Sequence, residues 1–174
     1  MKGSTHLLGG AAAAFGLAAA ASTAAPLPGL SVPQVVASIT LCMLGSLLPD
    51  VDLPTSTLGR RLKPVSVPLN KLLGHRGFCH SLLFLCLPLI LARSLAPSFL
   101  WAAVSLSAGI ASHLILDVFN HAGEALLWPW NKRFHIIGIE IGSVGERILA
   151  VVLFCWTAAQ LILTVITDGG MMYG

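Results

Sequence analysis

Charge is scarce in this sequence. Lys, Arg, Asp and Glu together make up 10% of its 174 residues, where an ordinary soluble domain carries about 25%. Low charge with abundant Leu, Val and Ala excludes a disordered chain. With 56% hydrophobic residues the same shortage excludes a soluble globule, whose core at this length has no room for so much apolar surface. The net charge of +3 is too small for a nucleic-acid footprint and matches the surplus of Lys and Arg that inner-membrane proteins use for topology, so no nucleic-acid partner is expected. Paired thiols are also missing. Cys42, Cys79, Cys86 and Cys155 form no CxxC pair, and three of them lie inside apolar runs as small hydrophobes, which argues against a disulfide framework and a thiolate zinc site.

What is present is a series of long apolar runs. They predict one all-α domain over 1–174, an integral membrane helical bundle of about five transmembrane helices. The expected spans are Leu7–Leu27, Pro33–Leu48, Ser81–Leu95, Phe99–Phe119 and Ile148–Ile166, with a turn at Pro97 and a kink at Pro88. The first run is Ala-rich and weakly hydrophobic, and a cleaved signal peptide with Lys2 as its n-region and a cleavage site near Ser22–Ala25 is the competing reading. Nine of the ten basic residues fall on one side of the five-span arrangement: Lys2, Arg60, Arg61, Lys63, Lys71, Arg76, Lys132, Arg133 and Arg147, against Arg93 alone. By the positive-inside rule the N-terminus and the polar loops 49–80 and 120–147 are cytoplasmic.

Most histidines and acids gather in short motifs at the ends of these spans: THLLGG with His6, LLPDVDLP with Asp50 and Asp52, GHRGFCHS with His75 and His80, and HLILDVFNHAG with His113 and Asp117. The topology brings all of them to one membrane face, and ionisable groups beside apolar spans are costly and tend to mark function. His113 and Asp117 are spaced i, i+4, so they share a helix face and can hold one metal ion or merely pair with each other. Asp50 and Asp52 are turn carboxylates or a cation site, since two close carboxylates repel unless something positive lies between them. His75 and His80 would point roughly 140° apart on one helix, so His75 is expected in the loop and His80 at the foot of the third span. Ser81 is read as a helix cap. Arg76 is either a topology anchor or a clamp for an anionic oxygen. Imidazoles and carboxylates without thiolates suit zinc, with manganese as the alternative, and such mixed shells commonly leave a position open for water.

With these motifs in this order, the sequence resembles the YdjM family of inner-membrane, metal-dependent hydrolases under SOS-repressor control. The resemblance runs through THLLGG, LLPDVDLPTSTLGRRLKPVS, GHRGFCHSLL, SHLILDVFNHAGEALLWPW and the late pair Glu146-Arg147. Cys79 stands where the family usually has Thr, and Asn120 where Thr is common. The family is in turn similar to the zinc-dependent phospholipase C and single-strand nuclease superfamily, whose His-x3-Asp pattern His113 and Asp117 match. The resemblance implies a hydrolase without naming a substrate, and it favours Glu146 as a site residue. His121, His135, Glu124 and Glu140 lie in the second long loop without metal spacing and are set aside.

The expected protein is therefore a multi-pass inner-membrane hydrolase with its metal site on the cytoplasmic face. Its divalent cation would be held by His6, Asp50, Asp52, His75, His80, His113 and Asp117, with Asp52, Glu146 and Arg76 as the catalytic side chains. A site at the membrane edge favours a lipid or lipid-linked phosphodiester or ester, with membrane lipids as partners and the oligomeric state left open. The rival is a non-enzymatic membrane protein that binds or transports metal, which would need ligands near the bilayer midplane.

Overall fold

Each apolar run becomes a helix because straight-chain and Ala-rich segments favour that backbone and a lipid-facing chain must satisfy its amides internally. In a computed structural model that describes residues 1–23, 31–130 and 132–171, the helices are α1 (Gly3–Thr23), α2 (Val32–Gly45), α3 (Lys63–Leu73), α4 (Leu82–Leu95), α5 (Leu100–Val118) and α6 (Val144–Met171). Short 3-10 turns at Pro49–Asp52, Phe78–His80 and Pro97–Phe99 join them. The described residues contain no strand, only isolated bridges that pair Asn120 with Ile139 and Glu124 with Phe134 in the α5–α6 connection. Positions 24–27, the end of the first expected span and part of the candidate cleavage site, lie outside the described residues.

Local chemistry sets several of the boundaries. The backbone N–H of Ser31 donates to Gln34 Oε1 at 2.9 Å ahead of α2, and Ser81 Oγ accepts from the Phe84 amide at 3.3 Å to cap α4. Pro88 sits inside α4, and the chain reverses through the turn at Pro97. The segment 49–80, expected as a polar loop, instead carries α3. Pro64 occupies its first turn, where the missing N–H has no helical partner to lose, and Pro68 is tolerated further along.

Helix α5 is the hub: it packs against α1, α2 and α4, and α1 in turn packs against α2 and α6. Small residues allow the close approach. A Cβ at Gly109 would stand 2.1 Å from the Cys42 carbonyl oxygen, and one at Gly45 would stand 2.3 Å from that of Leu106. Glycine is required at both crossings because backbone occupies the space, as in small-residue packing between membrane helices. Polar links tie the same helices: the Cys42 thiol donates to the Ser105 carbonyl at 3.0 Å, and the Ser107 hydroxyl donates to that of Leu85 at 2.9 Å.

Among the described residues, two stretches are long and apolar enough to cross a bilayer, Pro97–Val118 with 22 residues and Val144–Thr164 with 21, each with mean hydropathy 1.8. Apart from Glu146 at its foot, no residue of the second is buried inside the protein, and Ile148, Val151, Val152, Phe154 and Trp156 all point outward. Its outward surface has the length and composition of a membrane-crossing helix. Helices α2 and α4 are shorter, at 14 residues each; a rise of about 1.5 Å per residue leaves them short of a hydrocarbon core about 30 Å thick.

Candidate metal site

The helical half of the site grows from the α1–α5 and α2–α5 contacts. His6 on the first turns of α1 lies flat against His113 of α5, with ring centroids 3.8 Å apart and planes 14° from parallel. His113 Nδ1 is 2.7 Å from the Ser46 carbonyl at the end of α2. A carbonyl can only accept, so Nδ1 carries the proton and Nε2 keeps its lone pair. That Nε2 is buried without a hydrogen-bond partner, 3.7 Å from Asp117 Oδ2 and 4.0 Å from Asp50 Oδ1. The other Asp117 oxygen receives the Met1 amino group at 2.7 Å and has His6 Nε2 at 3.3 Å, although the His6 ring nitrogens lack hydrogen-bond geometry.

The second half is built on turns. Asp50 and Asp52 lie on the 3-10 turn that follows α2, and Asp52 faces two rings: His75 Nδ1 is 2.7 Å from its Oδ1 and His80 Nδ1 is 3.2 Å from its Oδ2. An ionised carboxylate accepts only, so both histidines donate through Nδ1 and turn Nε2 away from Asp52. His80 Nε2 is buried without a partner and 3.7 Å from Asp50 Oδ1. The turn is braced from outside by Asn70 of α3, whose Nδ2 donates to the Asp52 carbonyl at 2.8 Å.

Arg76 sits between the two halves in a left-handed backbone conformation, φ 64°, which costs a non-glycine residue about 1–3 kcal/mol and persists where the surroundings enforce it. Its amide donates to Asp52 Oδ2 at 3.3 Å and its Nη1 to the Gly123 carbonyl at 2.7 Å. The guanidinium also lies 3.6 Å from Asp117 and 3.5 Å from Glu124. Glu124 is fully buried and neither of its carboxylate oxygens has a hydrogen-bond partner.

This packing perturbs the titrating groups on the turns. Burial opposes ionisation of Asp50, but the His80 ring beside it, with His113 and His6 behind, outweighs burial and holds the carboxyl at about 2. Asp52 is likewise lowered, its burial overcome by His75 and His80. Burial alone would depress His80, yet Asp50, Asp52 and Glu124 raise it to about 10. Glu124 is pushed up to about 8, mainly by burial and against the pull of His80 and Arg76. A proton therefore occupies His80 at neutral pH, in a pocket of carboxylates that a divalent cation would also neutralise.

The residues fit such a cation. Among the described residues, four overlapping triads have donor atoms within 4.8 Å of one another: His6, His113 and Asp117; Asp50, His80 and His113; Asp52, His75 and His80; His80, Asp117 and Glu124. All seven sequence-nominated ligands belong to at least one triad. Glu124, set aside for lack of spacing, joins them because the turn after α5 folds back through its bridge to Phe134 and carries the carboxylate inward. Glu146 stands outside the triads. Its oxygens accept from the Lys2 amide, the Thr5 hydroxyl and the Gly142 amide, which fixes the start of α1 against the foot of α6. His121, His135 and Glu140 belong to none of the triads.

One face of the cluster opens into a cavity of about 580 Å³. Asp50, His75, Arg76 and Asp117 reach it from the cluster, while Thr57 and Arg60 are among the residues of its wall.

No solved structure matches the chain. It is 38% identical over 121 residues to the inner membrane protein YdjM of Escherichia coli, an alignment covering 66% of this chain and 62% of that protein. It is 32% identical over 150 residues to the YvsG protein of Bacillus subtilis, covering 86% and 87%. With the inner membrane protein YbcI of Escherichia coli it shares 31% identity over 97 residues, about half of each chain. The chain thus spans less than two thirds of its YdjM relative. The family profile described as YdjM inner membrane protein covers residues 1–170, so the chain belongs to the YdjM inner membrane protein family.

Proposed function

We propose that this protein is a multi-pass, metal-dependent membrane hydrolase acting on a phosphodiester or ester of a lipid or lipid-linked substrate. The observation that carries the reading is the pair of buried, unpartnered Nε2 atoms on His80 and His113, aimed at Asp50 and Asp117 beside a cavity; His113 Nε2 already holds its lone pair, and His80 Nε2 offers one when a cation displaces its proton. Leaving two such nitrogens unpaired in a protein interior is costly, about 1–3 kcal/mol each, and a cation removes the cost. His80, His113, Asp50 and Asp117 would hold it, with His6 and Glu124 at the two ends of the cluster. Zinc is favoured by the nitrogen and oxygen donors, with manganese as the alternative.

When bound, the cation supplies Lewis acidity, which lowers the pKa of water and polarises an ester or phosphoryl oxygen. The chain supplies the rest. His75 lines the cavity with its Nδ1 proton given to Asp52, so Nε2 is free to take a proton, and Asp52 stabilises the imidazolium that results. Arg76 offers positive charge at the cavity floor for an anionic oxygen. Glu146 holds α1, and so His6, in place.

In this reading α1, α2, α4, α5 and α6 all cross or enter the bilayer, with the N-terminus and both long connections on the cytoplasmic side, supported by the nine basic residues that share that side. Retention of α1 is supported by the stacking of His6 on His113 and by its packing against α2, α5 and α6. The alternative, a metal-binding or transport protein, finds less support, because the ligands gather at helix ends and turns rather than at a midplane break.

The test is hydrolysis by the purified, zinc- or manganese-loaded protein, measured against phospholipids, soluble phosphodiesters and carboxylic esters. Chelator-sensitive turnover that Asp52→Asn removes supports the reading. A fully metal-loaded protein that hydrolyses none of the three classes would point to binding or transport instead.

A further inference from the structure

Helix α3 is amphipathic with its polarity reversed. At roughly 100° per residue, Ser66 and Asn70 fall on one side and Pro64, Val65, Pro68 and Leu72 on the other. The polar side faces the protein: Ser66 is fully buried and Asn70 donates to the Asp52 carbonyl. The apolar side faces out, with Val65 54% and Leu72 81% exposed. In water this arrangement would leave the apolar face uncovered while burying the groups water could have solvated.

Charge indicates what covers it. Arg60, Arg61, Lys63 and Lys71 lie along the segment, and no acidic residue occurs between Asp52 and Asp117. An apolar face bordered by unopposed cations matches an anionic lipid surface, where apolar side chains enter the acyl boundary and Lys and Arg meet headgroup phosphates. Position agrees, since α3 is tethered between α2 and α4, the apolar helices on either side of it, and its lead-in residue Arg60 lines the cavity. The cavity lining also includes Ile141, 59% exposed, near the outward-facing Ile136 and Ile137.

We propose that α3 is an interfacial helix that lies in the headgroup layer of an anionic leaflet and brings the mouth of the cavity to headgroup level. Because Asn70 grips the turn carrying Asp50 and Asp52, contact with the bilayer also supports the ligand turn from outside. The proposal does not depend on hydrolysis, and its test reads no activity.

The full-length chain, with Cys86→Ser and Cys155→Ser, is spin-labelled at Leu72→Cys, at Val65→Cys and, as flanking control, at Lys71→Cys, then reconstituted in vesicles of phosphatidylcholine with phosphatidylglycerol or of phosphatidylcholine alone. Collision with oxygen, which partitions into lipid, is compared with collision with a water-soluble nickel chelate. In anionic vesicles the oxygen-to-nickel ratio at 72 and 65 should exceed that at 71 several-fold, and the excess should shrink without phosphatidylglycerol. Nickel collision at 72 and 65 equal to that at 71 would place the face in water and overturn the proposal. Dipolar broadening between labels at 72 would show that a second copy covers the face, which also overturns it. An excess unchanged by lipid charge would overturn the anionic preference. Two apolar label sites keep the experiment decisive if one variant fails to fold.

Discussion

The two halves of the cluster are held in different ways. His6, His113 and Asp117 sit on long helices whose spacing is set by backbone contact at Gly45 and Gly109, and the acceptor that orients His113 is a main-chain carbonyl. Asp50, Asp52, His75 and His80 sit on turns, where one side-chain carboxylate orients two rings and α3 braces the turn. Helix packing therefore places the first half, and a polar network places the second. Damage to packing should disturb the whole bundle, whereas damage to the network should stay local.

The largest expected effect is at the helix crossing. Gly109→Val puts side chain where the Cys42 carbonyl already stands, 2.1 Å from the new Cβ, and the backbone cannot yield without separating α2 from α5. Overpacking costs about 1–3 kcal/mol and more where backbone blocks the side chain, and folded, monodisperse protein should be lost on gel filtration in detergent. Gly16→Ala is the contrast, since nothing lies within 4 Å of its Cβ position; it should leave stability unchanged or raise it by up to about 1 kcal/mol.

Next comes Asp52→Asn. Loss of the shared acceptor frees the tautomers of His75 and His80, so metal affinity should fall about 10–100-fold, measured by chelator competition, while the protein remains folded because His113 and the helix crossings are untouched. An affinity loss matched by global unfolding would show that the turns are not an independent unit.

The pattern of what was legible follows the same division. The His113-x3-Asp117 pair and the Asp-x-Asp turn could be read directly, because periodicity on a helix and proximity in sequence fix which side chains meet. Five of the apolar runs also appear as helices. Glu124 was not legible, since its burial depends on a loop that folds back to Phe134, a long-range contact without a local pattern. Helix α3 was obscured by Pro68, since proline inside a helix normally argues against one. Arg76 was open between anchor and clamp; the structure surrounds it with Gly123, Asp117 and Glu124, an environment that one residue in a sequence cannot announce. The carboxylate of Glu146 meets the start of α1 rather than the cluster, a contact across almost the whole chain.

A smaller effect is expected with pH. His80 is raised from 6.5 to about 10, so between those values the folded, metal-free protein holds a proton that a cation must displace. Metal affinity should rise with pH across that window and uptake should release protons, which a weakly buffered indicator assay measures; His80→Ala should flatten the dependence. Uptake without proton release would mean that His80 is not a ligand.

The smallest change expected in metal content is that of Arg76→Lys. Lysine keeps the charge but cannot contact Gly123, Asp117 and Glu124 together, so bound metal should stay near the wild-type level. Any turnover of an anionic substrate should fall about 10–150-fold, as expected for loss of one charge-assisted hydrogen bond worth about 1.5–3 kcal/mol.

The central claim is that the buried imidazoles and carboxylates form a metal site, and elemental analysis of the purified full-length protein in detergent tests it most directly. Wild type and His135→Ala should each carry at least about one equivalent of zinc or manganese per chain, as a site with this donor set would, and folded His113→Ala should carry almost none. A wild-type protein that binds no divalent metal at micromolar supply, or a His113→Ala variant that keeps its full complement, would contradict the account.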